Sequence, residues 1–499
     1  MRERRPGGGE RSVLGGSAAL LGARYGQAVL GYVGSVVIAR SLTEADYGGY
    51  TLVFGVLGIV GILCDVQASR LVLREVLDAE EGDGSAISSY MLLRFLVAVT
   101  VYALTVAGMA VAGYPDRVVV ATAVGGTVIP LAATWSALRI LFQARLWLRS
   151  LSAMTIAAQL VQVALTIVIA VSPRPSLVRF MAPAVAFNVV FLIVMVVIAR
   201  RHVRLRLSID RATWWRWIRD SAPIALGATI GEVYFRVDAV LLSRLDTLEA
   251  VGRYGIGYKF SDLIGYVASA IMASAFTLLV TAWPDHPAAF RRTANGVFVL
   301  LSVLGIGLAA GFVTFAEPAI SLLYGSRFTP AADAARLLVV GRSLYFLTHL
   351  CFYLLLATGR HRVFPGAAAV GLAVNVGLNL VLIPRFSIAG AGWATIVTEL
   401  VVLVVLARSV LAIPEVGEIP WGVLGRALLA GATLAVVGLG LEVVVPWPLA
   451  AAVAATTYGA IVHRWVVPGG IGALGSLLRQ GGDEAHVAEV SADDPSFPV

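Results

Sequence analysis

Charge is scarce in this sequence. Only 14% of its 499 residues are Asp, Glu, Lys or Arg, against 59% hydrophobic, and the mean hydropathy is +0.86. A soluble catalytic domain normally carries about 25% charged residues, so that class is excluded. Cysteine is scarcer still. Cys64 and Cys351 both lie in apolar runs, which leaves neither a disulfide framework nor a metal-ligand pattern. Of 38 basic residues only Lys259 is a lysine, a bias of the kind a GC-rich genome imposes. The chain has no GxxxxGK[ST] phosphate loop, and the GIGYKFS stretch at Gly255–Ser261 lacks that spacing. Direct use of ATP is therefore not expected.

Long apolar runs are abundant. About fourteen stretches of roughly 20 residues recur along the chain, each long enough to cross a bilayer core of about 30 Å as a helix. Lipid offers no partner for backbone N–H and C=O groups, so spanning segments must be helices. The expected fold class is an all-α membrane protein of about 14 transmembrane helices, arranged as two pseudo-symmetric six-helix lobes plus two C-terminal helices. The expected organisation is an N-terminus at 1–11, an N-lobe at 12–207, an amphipathic interfacial linker at 208–220, a C-lobe at 221–412, two further spans at 413–467 and a disordered tail at 468–499. The first apolar run, 12–39, is too long for a signal-peptide core and is read as the first helix.

The net charge of +8 does not point to nucleic acid, because the arginines sit in short segments between spans. With the N-terminus cytoplasmic, 24 basic residues fall on the inside and nine on the outside. That asymmetry places both termini in the cytoplasm of a bacterial plasma (inner) membrane. The linker SIDRATWWRWIRD mixes Trp214, Trp215 and Trp217 with Arg211, Arg216 and Arg219, the pattern of a helix lying in the membrane interface.

An internal repeat links the halves. Arg40-x7-Gly48-x-Tyr50 returns 204 residues later as Arg244-x7-Gly252-x-Tyr254. Six helices separate the copies, so both halves have one orientation, as in transporters built from parallel repeats.

Several spans carry ionisable residues that lipid would not tolerate and that must face protein or water. Candidates for binding an anionic substrate are Arg24, Arg236, Lys259 and Arg342; candidates for ion coupling are Asp238, Asp262, Glu399 and His349. Glu232 and Arg236 are four apart, and Lys259 and Asp262 three apart, so each couple also reads as a self-neutralising pair. Arg94 lies near a span end and is expected to snorkel, and Asp65 lies in the second span. His349 shares a helical face with Arg342 and Tyr345 and reads foremost as a packing residue. Arg24 and Arg342 have no opposite charge within a turn on their own helices. A guanidinium suits phosphate because its planar fork donates two hydrogen bonds.

IARSLTEADYGGYTLVFGVLGIVGILCDVQASRLVLRE and SAPIALGATIGEVYFRVDAVLLSRLDTLEAVGRYGIGYKFSDLIG, at the starts of the two halves, resemble polysaccharide-export flippases of the Wzx/PST type in the MATE/MurJ-like MOP superfamily. FAEPAISLLYGSRFTPAADAARLLVV and NLVLIPRFSIAGAGWATIVTEL are similar to later helix connections of that family. The resemblance runs from about Ser12 to the end of the last span, and is most specific at Asp46/Gly48/Tyr50 and Arg236/Asp238. It implies a V-shaped pair of six-helix lobes that moves a polyprenyl-pyrophosphate-linked oligosaccharide from the inner to the outer leaflet. MurJ-type relatives, which flip lipid II, set cavity arginines against the pyrophosphate. Arg24 and Arg236 match such positions by helix and depth. The implied partners are the lipid-linked oligosaccharide, membrane lipids and polysaccharide-assembly enzymes, with no nucleic acid. No resident cofactor is implied; H+, Na+ or the membrane potential supplies the drive. The alternatives are a MATE-type cation-coupled antiporter, whose pore would be more acidic, and a membrane polysaccharide polymerase or glycosyltransferase. The latter would need convergent catalytic groups on an outer loop, and the outer loops here are short.

Overall fold

The computed structural model describes residues 26–78, 83–145, 147–205 and 209–467. Arg24, the beginning of the first span and the tail at 468–499 lie outside them. The described chain is helical: α1 (26–41), α2 (Glu44–Leu63), α3 (Ser69–Asp78), α4 (Ser85–Val111), α5 (Asp116–Gly126), α6 (Val128–Ala144), α7 (Leu148–Ala170), α8 (Ala182–Arg200), α9 (Arg211–Leu245), α10 (Leu248–Ala282), α11 (Pro287–Tyr324), α12 (Ala332–Ala357), α13 (Val363–Leu411), α14 (Trp421–Glu442) and α15 (Trp447–Ile461). Ten helical segments among the described residues are long and apolar enough to cross a membrane. Large apolar side chains such as Leu104, Val111, Val168, Val436 and Val443 stand fully outward. That outer surface suits lipid and no aqueous solvent.

The count of ten differs from about fourteen for physical reasons. The first span is described only from residue 26. The 15-residue α15 is too short to qualify alone, and α9 is too rich in charge, with Glu232, Arg236 and Asp238 in its apolar part. The 49-residue α13 reverses direction inside its bounds. Ser387 has φ 52° just after Pro384, and a Cβ on Gly390 would meet the Leu382 carbonyl. Residues eight apart along a straight helix are about 12 Å apart, so this approach marks a hairpin joining the two arms read at 363–383 and 388–412.

The described residues form two compact units, one ending at Gly252 and the other starting at Arg253. In the first, Tyr90, Leu138, Phe142, Phe191 and Met195 of α4, α6 and α8 build the core. The interfacial linker proves to be the opening of α9, which runs on to Leu245 without a separate element. Trp217 enters the α4–α6–α8 core at 1% exposure, edge-on to Tyr90. Trp214 donates to Ser89 Oγ at 2.8 Å, and Glu75 of α3 accepts from Arg216 and from Trp217 Nε1. Trp215 stays exposed. The rest of α9 packs along α2, with Gly55 against Ala239. A helix expected with the second half therefore belongs to the first compact unit.

The repeat has a structural counterpart within that unit. Thr43 and Thr247 occupy equivalent positions, and each hydroxyl accepts from the N–H three residues on, Asp46 and Ala250. These are N-caps, which satisfy donors that the first turn of a helix leaves without partners. The two repeat glycines then meet. A Cβ on Gly48 would land on the Leu248 carbonyl, and one on Gly252 would land on the Glu44 carbonyl. Each would lie 3.0 Å from the other glycine's nitrogen. Because Leu248 stands to Glu44 as Gly252 stands to Gly48, the repeated segment crosses its own copy reciprocally. Tyr254 repeats Tyr50 two residues on; it is buried and its hydroxyl lies 3.3 Å from Thr395 Oγ1.

The core of the second unit comes from α10–α13, with Met272, Leu279, Phe290, Leu301, Phe346 and Leu354 buried together. α14 and α15 pack on α11, where Gly307 admits the Tyr458 ring and the Tyr458 hydroxyl donates to the Val303 carbonyl at 2.6 Å.

Candidate functional site

Hydropathy forces these helices into lipid, so each ionisable side chain on them needs a partner or water. In the second unit α10, α12 and α13 bring such residues together. Arg342 of α12 is 14% exposed and reaches α10, where Asp262 lies 3.1 Å from its Nη2. Its Nε donates to Ser261 Oγ at 3.0 Å, and Tyr345 lies one turn on, its ring 5.0 Å from the guanidinium carbon. Gly265 makes this possible: a Cβ there would sit 3.2 Å from Arg342 Cδ. Asp262 is the exposed member of the pair, at 52%. Tyr345 also lies in the field of Glu399 and Tyr353. Glu399 is buried on α13. His349 is packed among rings, 5.0 Å from both Tyr345 and Tyr353.

Arg342 therefore has an opposite charge after all, on a neighbouring helix and not within its own. The geometry still leaves it chemically competent. A guanidinium offers five N–H donors, and one carboxylate oxygen and one hydroxyl engage only part of that fork. Lys259 lies a turn before Asp262 on α10.

In the first unit, α9 carries the Glu232–Arg236 ion pair at i,i+4. The pair that the i,i+4 spacing allows is therefore formed. Arg236 lies across α2 at Gly58, where a Cβ would come within 2.9 Å of its guanidinium carbon. Asp238 is almost fully buried on the same helix. Arg94 does not snorkel as expected. It is 6% exposed and turned inward to Asp65, 3.3 Å away in the turn after α2. With a carboxylate that close, inward pairing costs less than stretching to an interface.

Gly58, Gly265 and Ser261 had no signal in the sequence pattern. Their importance comes from lying opposite an arginine on another helix. The Tyr345–Arg342 contact was foreshadowed by their i,i+3 spacing.

The family model described as "Polysaccharide biosynthesis protein" matches residues 13–280, just over half of the chain. An uncharacterised membrane protein of Methanocaldococcus jannaschii is 24% identical over 162 residues. That alignment spans 32% of each chain, about a third of the curated relative's length. Among solved structures, the lipid II flippase MurJ in an inward closed conformation superposes with TM-score 0.72 at 12% identity, covering 89% of this chain and 98% of that one. An inward-facing multidrug resistance MATE family transporter of the MOP superfamily gives 0.65 at 10% identity, covering 79% and 96%. At such identities the superpositions speak to fold: the helices are arranged as in MurJ and MATE transporters.

Proposed function

This chain belongs to the polysaccharide biosynthesis protein family, and on that premise we propose that it is a flippase for a polyprenyl-pyrophosphate-linked oligosaccharide. It carries the headgroup from the inner to the outer leaflet of a bacterial plasma membrane by alternating access, with both termini cytoplasmic. The observation that carries this reading is Arg342: a guanidinium held inside an apolar helix cluster by Asp262 and Ser261, with donors to spare. Arg24, Arg236 and Lys259 are the further cations proposed to meet the pyrophosphate. Asp238, Asp262, Glu399 and His349 are the proposed coupling groups. A pyrophosphate of about two negative charges moving outward gains roughly 4–5 kcal/mol per 100 mV, inside negative. No nucleotide is then required. Polysaccharide-assembly enzymes are the proposed functional partners.

The second reading, a MATE-type cation antiporter, draws on one observation: the more accessible member of the central pair is the carboxylate, Asp262. The two readings part on paired variants in proteoliposomes. Arg342→Gln should abolish transfer of a fluorescent polyprenyl-pyrophosphate saccharide between leaflets, while Asp262→Asn should keep binding because it leaves the guanidinium available. Should Asp262→Asn lose transport while Arg342→Gln retains it, the substrate is a cation and the flippase reading fails. Arg24→Ala is expected to behave as Arg342→Gln does.

A further inference from the structure

A second polar cluster, in the first unit, is not used by that reading. Asp65 lies in the turn between α2 and α3, Arg94 on α4 and Arg139 on α6. Arg94 Nη2 sits 3.3 Å from Asp65 Oδ1, and Gln67 Nε2 donates to Asp65 Oδ2 at 3.1 Å. Arg139 lies in the electrostatic field of both Asp65 and Arg94. One carboxylate thus pairs with Arg94 and acts electrostatically on Arg139.

The arrangement is incomplete as it stands. Arg94 is 5% exposed, yet its Nε has no acceptor, and the buried Asp65 Oδ1 accepts no hydrogen bond even though Arg94 is near. A buried donor and a buried acceptor left so are costly, because each has given up its water without a replacement. Gln67, which orients the carboxylate, has φ 55°, a left-handed conformation unusual for a side chain of its kind. Such strain persists where surrounding structure over-determines it, commonly at ligand sites. Arg139, in contrast, is exposed, so the cluster is reachable from outside. What it lacks is a group whose oxygens accept from Arg94 Nε and Arg139, and whose hydroxyl donates to Asp65 Oδ1.

We propose that Asp65, Arg94 and Arg139 form a binding site for a hydroxyl-bearing phosphate ester, distinct from the α10–α12 cluster. Planar guanidinium forks suit tetrahedral phosphate oxygens, and Asp65 serves as the counter-ion that keeps Arg94 buried when the site is empty. It stands at the C-terminal end of α2, on the side that arginine asymmetry assigns to the cytoplasm. Phosphate esters reach it there from three sources: a soluble sugar phosphate, a phosphatidylglycerol headgroup, or the headgroup of a lipid-linked saccharide.

The test uses the full-length protein in phosphatidylcholine nanodiscs, with glycerol 3-phosphate in solution, phosphatidylglycerol in the disc, or a polyprenyl-pyrophosphate saccharide in the disc as separate probes. Binding is read by native mass spectrometry and by thermal shift. At least one probe should bind, and which one does identifies the source. Arg139→Gln, an exposed substitution that leaves the Arg94–Asp65 pair in place, should weaken that probe roughly tenfold or more. Arg94→Lys, which keeps the charge and loses the fork, should weaken it as well. Arg342→Gln should leave binding of glycerol 3-phosphate or phosphatidylglycerol unchanged, so failure here and failure of the flippase reading register separately. If no probe binds, or if Arg139→Gln binds as the parent does, the site is not a phosphate site and ordered water alone completes it.

Discussion

The reciprocal crossing at Gly48 and Gly252 gives the most quantitative prediction. Replacing glycine by alanine inside a helix ordinarily stabilises it by about 0.5–1 kcal/mol. Here the added methyl meets a main-chain carbonyl, Leu248 for Gly48 and Glu44 for Gly252, and a carbonyl cannot rotate away. Overpacking of this kind costs about 1–3 kcal/mol, and rigid backbone places it at the upper end. Subtracting the helix gain leaves a net loss of about 2 kcal/mol for Gly48→Ala and the same for Gly252→Ala. The double variant should fall well short of the roughly 4 kcal/mol sum, because helices separated by the first methyl already make room for the second. Gly31→Ala, with no atom within 4 Å of its new Cβ, is the control and should be neutral or stabilising. Unfolding of the four variants is compared in one detergent or nanodisc. Strict additivity, or a Gly48→Ala as benign as Gly31→Ala, would refute the claim that backbones touch at this crossing.

Trp217→Ala removes a buried indole and its bond to Glu75 and should cost about 3–5 kcal/mol; Trp215→Ala, on the exposed side, should leave unfolding nearly unchanged. Glu232→Gln and Arg236→Gln each break the α9 pair, and a double-mutant cycle in the transport assay separates its roles: rescue by the double variant means a structural pair, and loss retained in the double means Arg236 meets substrate. Asp210 caps α9, and bonds from the Thr213 hydroxyl and from the Thr213 and Ala212 N–H groups hold its carboxyl below the usual aspartate range. A depressed folded pKa means that its contribution is present at neutral pH and is lost as pH falls through that depressed value. Protection of the first turn of α9 against hydrogen exchange, relative to the intrinsic rate at each pH, should therefore fall only on acidification, and in Asp210→Asn it should lose that pH dependence.

The fold was readable because lipid leaves the backbone so little choice. A run of apolar residues must be a helix, whatever it touches, so hydropathy alone located most elements. The repeat was readable because close backbone approach demands glycine at both copies, whereas Thr43 and Thr247 passed unnoticed, a lone threonine being common in any turn. Pairs within a helix were visible: Glu232 and Arg236 are four residues apart and meet on α9. Asp262 and Arg342 are 80 residues apart in sequence, and no periodicity joins two helices. Arg94 was misread for the same reason, since Asp65 meets it from another segment. The opening of α9 was read from its aromatic and basic composition alone, which does not reveal that Trp217 and Trp214 are taken up by α4 and its neighbours.

The pairing of Arg342 alters how an anion-carrying transporter is to be understood from its charges. A buried guanidinium with no partner would cost several kcal/mol in every empty cycle. With Asp262 beside it, Arg342 sits in a matched pair, and on the proposed flippase reading substrate binding would be an exchange of one anion for another. The burial of the two partners sets the direction of that exchange. Arg342, at 14% exposure, is fixed by Ser261, Tyr345 and the space over Gly265. Asp262, at 52%, can return to water when displaced and lose little solvation. On the flippase reading proposed here the cation would stay and the carboxylate would leave, which is the order an incoming phosphate requires. On that reading the same carboxylate would then compete the phosphate off, so one pair would serve both capture and release. A bare arginine cavity would bind more tightly and let go more slowly.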